Sequence, residues 1–234
     1  MTLPASTHVG RLYIESRHLP ATQGGGGDIH DVMATPFGVR LLVGDVMGTG
    51  LPANRTGLTV LNAWRELACT EPSLADIAVR LQALITRSEH PERFVTALLV
   101  NFPVTGEEPG AGQAAGCWAE LVCCGHPPPL LLRGGSAAFV GPYAAPPLGL
   151  LDLADGWCRA SMIPVGHGDQ LLLYTVASPR PGTRPAGSSR WPRSRPRRWA
   201  RPGTPGRTCS TRSSAAWTIT SVTVRPTTSS SCCW

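Results

Sequence analysis

The chain has 234 residues, with 21 basic and 15 acidic side chains and a formal charge of +6. The charge is unevenly distributed, because residues 1–175 carry −5 whereas residues 176–234 carry +11 and no acidic residue. No apolar run is long enough to cross a bilayer, which argues against a membrane-spanning protein. The composition favours one globular domain within residues 1–175 and a separate basic tail over 176–234.

Apolar alternation bounded by glycine and proline predicts strands along most of the first part. The predicted strands are 11–17, 32–34, 37–45, 94–102, 118–124, 130–133, 158–164 and 170–175. We expect the last two to pair with each other around the turn Gly166-His167-Gly168-Asp169.

Two helices are predicted between the strands 37–45 and 94–102. The first covers 51–69, and the second begins at Ser73, where Ser73 and Asp76 have the spacing of a capping box. Strands, two helices and further strands imply an α+β fold with mainly antiparallel sheets and with helices packed outside them.

The tail has a different composition from the domain. Residues 176–234 include 11 arginines, 11 serines, 9 threonines and 8 prolines, and they contain neither leucine nor phenylalanine. Such a segment buries too little apolar surface to offset its chain entropy, so we predict that 176–234 is disordered.

Eight cysteines are present, and none has the CxxC spacing of a zinc site. No signal peptide is recognised before them. We therefore expect a reduced, cytoplasmic setting for the chain.

Two aspartates stand out as candidates for chemistry. Asp28 follows a run of four glycines. Asp45 lies at the end of a predicted apolar strand, and the glycine-rich turn that follows it leads into a predicted helix. Carboxylates at strand ends, next to glycines that let backbone approach a small ion, indicate a site for a hard metal. Each could instead be a turn residue or a helix cap, and Asp31 could satisfy local backbone groups.

Other readings of these segments are weaker. His126 begins a proline-rich turn, where either a structural role near the site or acid catalysis is conceivable, and we favour the structural role. The glycines around Asp45 lack the βαβ context of a nucleotide site. No nucleophile elbow supports a serine hydrolase.

Four motifs in order connect the chain to a known family. They are Gly26-Gly27-Asp28, Gly44-Asp45-Val46-Met47-Gly48-Thr49-Gly50, Cys124-Gly125-His126-Pro127-Pro128 and Gly168-Asp169-Gln170-Leu171-Leu172-Leu173-Tyr174-Thr175. Together they resemble the bacterial PP2C-type (PPM) serine/threonine phosphatases of the sporulation-phosphatase and stress-regulator-phosphatase branch. The resemblance covers residues 8–175, which implies a phosphatase domain over that range after a short N-terminal extension at 1–7.

The resemblance implies a sandwich of two sheets with a binuclear Mn²⁺ or Mg²⁺ centre between them. Asp45 would bridge the metals, while Asp28 and the backbone carbonyl of Val46 would help to hold one of them. The metals would activate a water that attacks phosphorus in a phosphoserine or phosphothreonine of a protein substrate. In this branch the substrate is often an anti-sigma-factor antagonist, which implies a role in partner-switching control of sigma factors.

The chain departs from the family after Thr175. Relatives continue with an aspartate that completes the second metal position and end with an Asp-Asp pair before a last strand, whereas 176–234 contains no aspartate. At least two expected ligands and the closing elements of the sandwich are therefore missing. The alternative function is a catalytically inactive remnant that acts at most as a binding module.

A frameshift is our hypothesis for the tail. If GC-rich codons are assumed for residues 176–185, translation in a displaced reading frame gives an acidic segment. The same displaced frame through residues 217–234 gives an Asp-Asp pair followed by leucines. Sequencing of the gene across codon 175 tests this hypothesis. The alternative is a genuine basic tail that binds nucleic acid through its arginines and tryptophans, although the resemblance implies no nucleic-acid partner.

Overall fold

The computed structural model describes residues 6–9, 12–19, 27–88, 92–103, 116–141, 143–154, 157–175 and 219–226. Its strands are β1 (Ser6–Val9), β2 (Leu12–Leu19), β3 (Asp28–Thr35), β4 (Gly38–Val46), β5 (Val95–Phe102), β6 (Gly116–Cys124), β7 (Leu130–Arg133), β8 (Ser136–Phe139), β9 (Ala144–Ala145), β10 (Ser161–Gly166), β11 (Gln170–Tyr174) and β12 (Ile219–Pro226). Its helices are α1 (Gly50–Thr70), α2 (Leu74–Thr86) and a short 3₁₀ helix (Leu151–Leu153).

The strands form two sheets. The first sheet has the order β10-β6-β5-β4-β3, with β9 added in parallel to β6, and the second has the order β1-β2-β12-β11-β7-β8. All other pairings are antiparallel. The prediction of an α+β fold with mainly antiparallel sheets is therefore confirmed.

Both long helices pack on the outer face of the first sheet. Val60, Trp64 and Ala68 form the buried stripe of α1, and they join side chains of the sheet in one apolar cluster. The predicted cap of α2 is present, because the Asp76 amide donates a hydrogen bond to Ser73 Oγ over 3.1 Å. Within the described residues, neither helix is long and apolar enough to span a membrane.

The side chains of β4 divide between two cores. Leu42 and Val46 belong to the cluster under the helices, whereas Leu41 and Val43 belong to the cluster between the two sheets. Because successive side chains of a strand point to opposite faces, Asp45 shares the face of Leu41 and Val43. The strand thus carries Asp45 towards the space between the sheets.

The predicted hairpin between the segments 158–164 and 170–175 is wrong. β10 pairs with β6 in the first sheet, whereas β11 pairs with β7 and β12 in the second sheet. The turn between them is tight: Gly168 has a φ of +81°, and the Asp169 amide donates to the Gly166 carbonyl. Arg133 of β7 binds the Asp169 carboxylate with a closest distance of 2.7 Å, which holds the start of β11 against the second sheet.

The prediction that all of 176–234 is disordered is wrong for one segment. Ile219–Pro226 forms β12, which lies between β2 and β11 and is antiparallel to both. The segment contains isoleucine, valines and threonines, whose branched side chains favour extended backbone even without leucine or phenylalanine. The rest of the predicted tail lies outside the described residues.

Candidate metal centre

Asp28 and Asp45 face each other across two strands. They are direct partners in the antiparallel register of β3 and β4, so both side chains lie on the same face of the first sheet. Asp28 begins β3 and Asp45 is the next-to-last residue of β4. The fold therefore brings together the two carboxylates that the sequence singles out.

Gly27 allows the backbone to close tightly around this pair. A Cβ atom at Gly27 would lie 2.2 Å from the Val46 carbonyl oxygen and 2.9 Å from Asp45 Oδ1. The Val46 amide also donates to the Gly27 carbonyl over 2.9 Å. The Val46 carbonyl oxygen and Asp45 Oδ1 thus both lie close to Gly27.

The environment of the pair disfavours negative charge. Burial, and then the neighbouring charge of Asp28, raise the pKa of Asp45 to about 6. Two close carboxylates repel each other, and a divalent cation between them would relieve this repulsion. The electrostatics therefore favour cation binding.

A sharp turn carries the chain from Asp45 into α1. The Met47 amide donates to the Phe94 carbonyl, and Gly48 and Gly50 adopt φ values of +96° and +76°. The Arg93 guanidinium donates to the Met47 carbonyl over 3.0 Å and occupies the space that a Cβ atom at Gly48 would need. These contacts fix the backbone directly after the carboxylate.

The donors present fit one hard cation. Two carboxylates and a backbone carbonyl form an all-oxygen set, which Mn²⁺ and Mg²⁺ prefer. Across the part of the chain that the structure describes, no group of three or more His, Cys, Asp or Glu side chains is placed to bind a metal. The described residues therefore supply part of a site for one metal, without the further carboxylates that a binuclear centre would need.

The third motif reaches the same end of the sandwich. His126 Nδ1 lies 3.1 Å from the hydroxyl of Thr96, which is the cross-strand partner of Asp45 in β5. His126 Nε2 lies 2.9 Å from the carbonyl oxygen of Tyr174, at the end of β11. Gly125 has a φ of +63° and packs against Pro147, so the turn before His126 has little freedom.

Two other aspartates have structural roles. Asp31 is buried and accepts a hydrogen bond from Arg65 of α1 over 2.8 Å, which ties the helix to β3. Asp169 binds Arg133 and caps the turn before β11.

Sequence reasoning missed Thr96 and Arg93 at this centre. Thr96 is the only hydroxyl residue in the otherwise mostly apolar β5, and that interruption was the available signal. Arg93 carried no local signal, because its contact with Met47 joins residues 46 positions apart.

Comparison with protein-family models gives a match. The family model described as stage II sporulation protein E (SpoIIE) matches residues 35–175, which is more than half of the chain. Comparison with curated proteins gives no significant match.

Three solved structures share the fold. The RsbU and RsbW domains of Rv1364c from Mycobacterium tuberculosis align with a TM-score of 0.60 and 23% identity, over 74% of this chain and 45% of that one. The PP2C phosphatase domain of SpoIIE from Bacillus subtilis, solved with a fragment of its regulatory domain, aligns with a TM-score of 0.57 and 14% identity, over 73% and 47%. RsbX in complex with magnesium aligns with a TM-score of 0.55 and 13% identity, over 75% and 78%.

The chain thus spans less than half of the length of two of these relatives. The two sheets and the two long helices nevertheless match the fold of PP2C phosphatases. The chain belongs to the SpoIIE family, in the sporulation and stress-regulator branch of the bacterial PP2C-type phosphatases.

Proposed function

We propose that the chain descends from, and retains the core of, a metal-dependent protein serine/threonine phosphatase. The observation that carries the proposal is the meeting of Asp28, Asp45 and the Val46 carbonyl at one end of the space between the sheets. Asp28 and Asp45 would hold Mn²⁺ or Mg²⁺, together with the Val46 carbonyl. When bound, such a cation lowers the pKa of a water and neutralises phosphate oxygens.

The residues around the centre hold its oxygen donors in place before any ligand binds. Gly27 and the turn after Asp45 keep the carboxylates and the carbonyl in fixed positions, so little reorganisation is needed on binding. The substrate would be phosphoserine or phosphothreonine in a protein. An anti-sigma-factor antagonist is the substrate that the family branch suggests, and the relative with RsbU and RsbW domains in one protein supports a partner-switching system.

An inactive remnant is the second candidate. It is favoured by the donor count, because the described residues offer two carboxylates at the centre and no third. A centre that holds one cation would position a water less well than a binuclear centre. Such a protein could still bind the phosphoprotein without hydrolysing it.

A phosphatase assay separates the two candidates. The full-length chain is incubated with a phosphoserine peptide and, separately, with p-nitrophenyl phosphate, at several Mn²⁺ concentrations. Mn²⁺-dependent turnover that is lost in Asp45→Ala supports the enzyme. Mn²⁺ binding without turnover of either substrate supports the remnant.

The matched control is Asp152→Ala. Asp152 is an exposed aspartate at the 3₁₀ helix, where it accepts a long hydrogen bond from Gln82. Turnover that survives Asp45→Ala as well as Asp152→Ala would contradict the proposed site.

A further inference from the structure

One imidazole joins the two sheets at the end where the candidate metal centre lies. His126 is 6% exposed, and both of its ring nitrogens are within hydrogen-bond distance of protein oxygens. Thr96 belongs to the first sheet and Tyr174 to the second.

The partners fix the tautomer of this ring. A backbone carbonyl can only accept, so His126 Nε2 carries the hydrogen that binds the Tyr174 carbonyl. Nδ1 is then an acceptor and takes the hydrogen of the Thr96 hydroxyl. Burial lowers the pKa of His126 to about 4, so the ring is neutral at neutral pH. With both nitrogens engaged, the ring has no proton to exchange with a substrate.

Of the two partners of His126, Thr96 lies next to the candidate metal centre, whereas Tyr174 anchors the ring on the second sheet. Thr96 Oγ1 is 3.5 Å from the carbonyl oxygen of Asp45, its cross-strand partner. Tyr174 is followed by the buried Thr175, which ends the described part of the fourth motif. The chain Asp45, Thr96, His126 and Tyr174 therefore runs across the sandwich.

We propose that His126 is a positioning residue of the metal centre, which it serves by holding Thr96, the cross-strand partner of Asp45, from an anchor on the Tyr174 carbonyl of the second sheet. The proposal rests on the proposed metal-dependent function. His126 contacts neither the metal nor the substrate, and it acts through Thr96 and the Tyr174 carbonyl. The two hydrogen bonds also make burial of this polar ring possible. They offset the hydration that the imidazole loses when it is buried.

The test compares two amides that each replace one ring nitrogen. In His126→Gln the amide nitrogen can approach the Nε2 position, whereas in His126→Asn the amide can reach only the Nδ1 position. Mn²⁺ alone is the probe, and its dissociation constant is measured on the full-length chain by electron paramagnetic resonance of the free ion. We expect His126→Gln, which loses the contact with Thr96, to weaken Mn²⁺ binding by about tenfold or more, and His126→Asn, which keeps it, by only about threefold.

Ser73→Ala is the stability control, because it removes the cap of α2 and leaves the metal centre untouched. It should lower the unfolding temperature but not the Mn²⁺ affinity. If His126→Gln lowers the unfolding temperature and binds Mn²⁺ as tightly as the wild type, His126 has a structural role only and the proposal is overturned.

A spectroscopic measurement stands beside the affinity. Nitrogen-15 NMR of the wild type should show a neutral ring with hydrogen on Nε2, and finding hydrogen on Nδ1 would overturn the proposal even if the variants do not fold. If the wild type binds no Mn²⁺, the proposed function and this role are both overturned. If it binds Mn²⁺ and the two amide variants do not differ, only the role of His126 is overturned.

Discussion

At the scale of single residues, the Asp28 and Asp45 carboxylates of the candidate metal centre interact unfavourably when both are ionised. Asp45 is partly buried opposite Asp28, and its pKa is raised to about 6. An acid whose pKa is higher in the folded than in the unfolded chain binds protons more tightly when folded. The folded state therefore loses stability as the pH rises from about 4 to about 6, and it stays less stable above that range.

Asp45→Asn should consequently stabilise the metal-free protein. A shift of two pKa units corresponds to at most about 3 kcal/mol, and solvent screening of the partly exposed side chain reduces this to about 1–2 kcal/mol at pH 7.5. Urea unfolding in EDTA measures the gain, which should disappear near pH 4. Added Mn²⁺ should stabilise the wild type and not the variant.

Asp152→Asn is the control for this prediction, because it removes an exposed carboxylate elsewhere. It should change the free energy of unfolding by less than about 0.5 kcal/mol. Equal gains from both substitutions would show that net charge, rather than the Asp28–Asp45 pair, is responsible.

Gly27→Ala should damage the same centre by steric means. The new methyl group would lie 2.2 Å from the Val46 carbonyl oxygen, so β3 and β4 must separate at their ends. We expect a loss of about 1–3 kcal/mol in unfolding free energy and much weaker Mn²⁺ binding, measured by urea unfolding and calorimetry. Gly141→Ala is the control, because a Cβ atom there has no neighbour within 4 Å among the described residues. Unimpaired Mn²⁺ binding in Gly27→Ala would contradict the assignment of the Val46 carbonyl.

At the scale of elements, a buried arginine fixes the far end of α1. Arg40 of β4 is fully buried, and its guanidinium donates to the carbonyl oxygens of Ala68, Glu71 and Pro72. These carbonyls lie at and just beyond the C-terminus of the helix, where backbone acceptors lack partners within the helix and a cation is favoured. β4 thus carries the metal candidate Asp45 at one end and the anchor of α1 nearer the other.

Replacing Arg40 by methionine should leave these carbonyls buried without donors. We expect a loss on the order of 3 kcal/mol in unfolding free energy, measured by urea denaturation. Arg55→Met is the control, because Arg55 is an exposed arginine in the first part of α1, where a single surface substitution changes the free energy of unfolding by about 0.5 kcal/mol or less. Similar losses in both variants would contradict the anchoring role.

Elements with a local cause could be predicted from the sequence, and pairings between distant elements could not. The cap at Ser73 depends on residues three positions apart in the sequence, and it was predicted. The separation of β10 from β11 was missed, because their partners β6 and β7 lie elsewhere in the sequence. The order of the motifs predicted that Asp28 and Asp45 lie together. It did not predict Thr96, because the contact of Thr96 is with a histidine 30 residues away.

At the scale of the whole molecule, the second sheet depends on β12. This strand supplies the hydrogen-bonding partners of both β2 and β11. Without it, two unpaired strand edges would face each other, and such edges pair readily with other chains. β12 therefore decides whether the second sheet is continuous.

Two truncations test the importance of β12. A chain that ends at residue 218 should aggregate and lose its cooperative thermal transition, whereas a chain that ends at residue 226 should behave as the full-length protein does. Light scattering and calorimetry measure both properties. A monomeric chain ending at 218 with an unchanged transition would show that the sheet does not need the strand.

The position of β12 also has a kinetic consequence. β3 and β4 meet through a turn that brings Thr35 opposite Gly38, whereas β12 and β2 bring Pro226 opposite Leu12. Closing so long a loop costs entropy before any contact compensates for it, and such pairings form slowly. We expect refolding in two steps, in which amides of the first sheet gain protection from hydrogen exchange early and those of β2 and β11 gain it late.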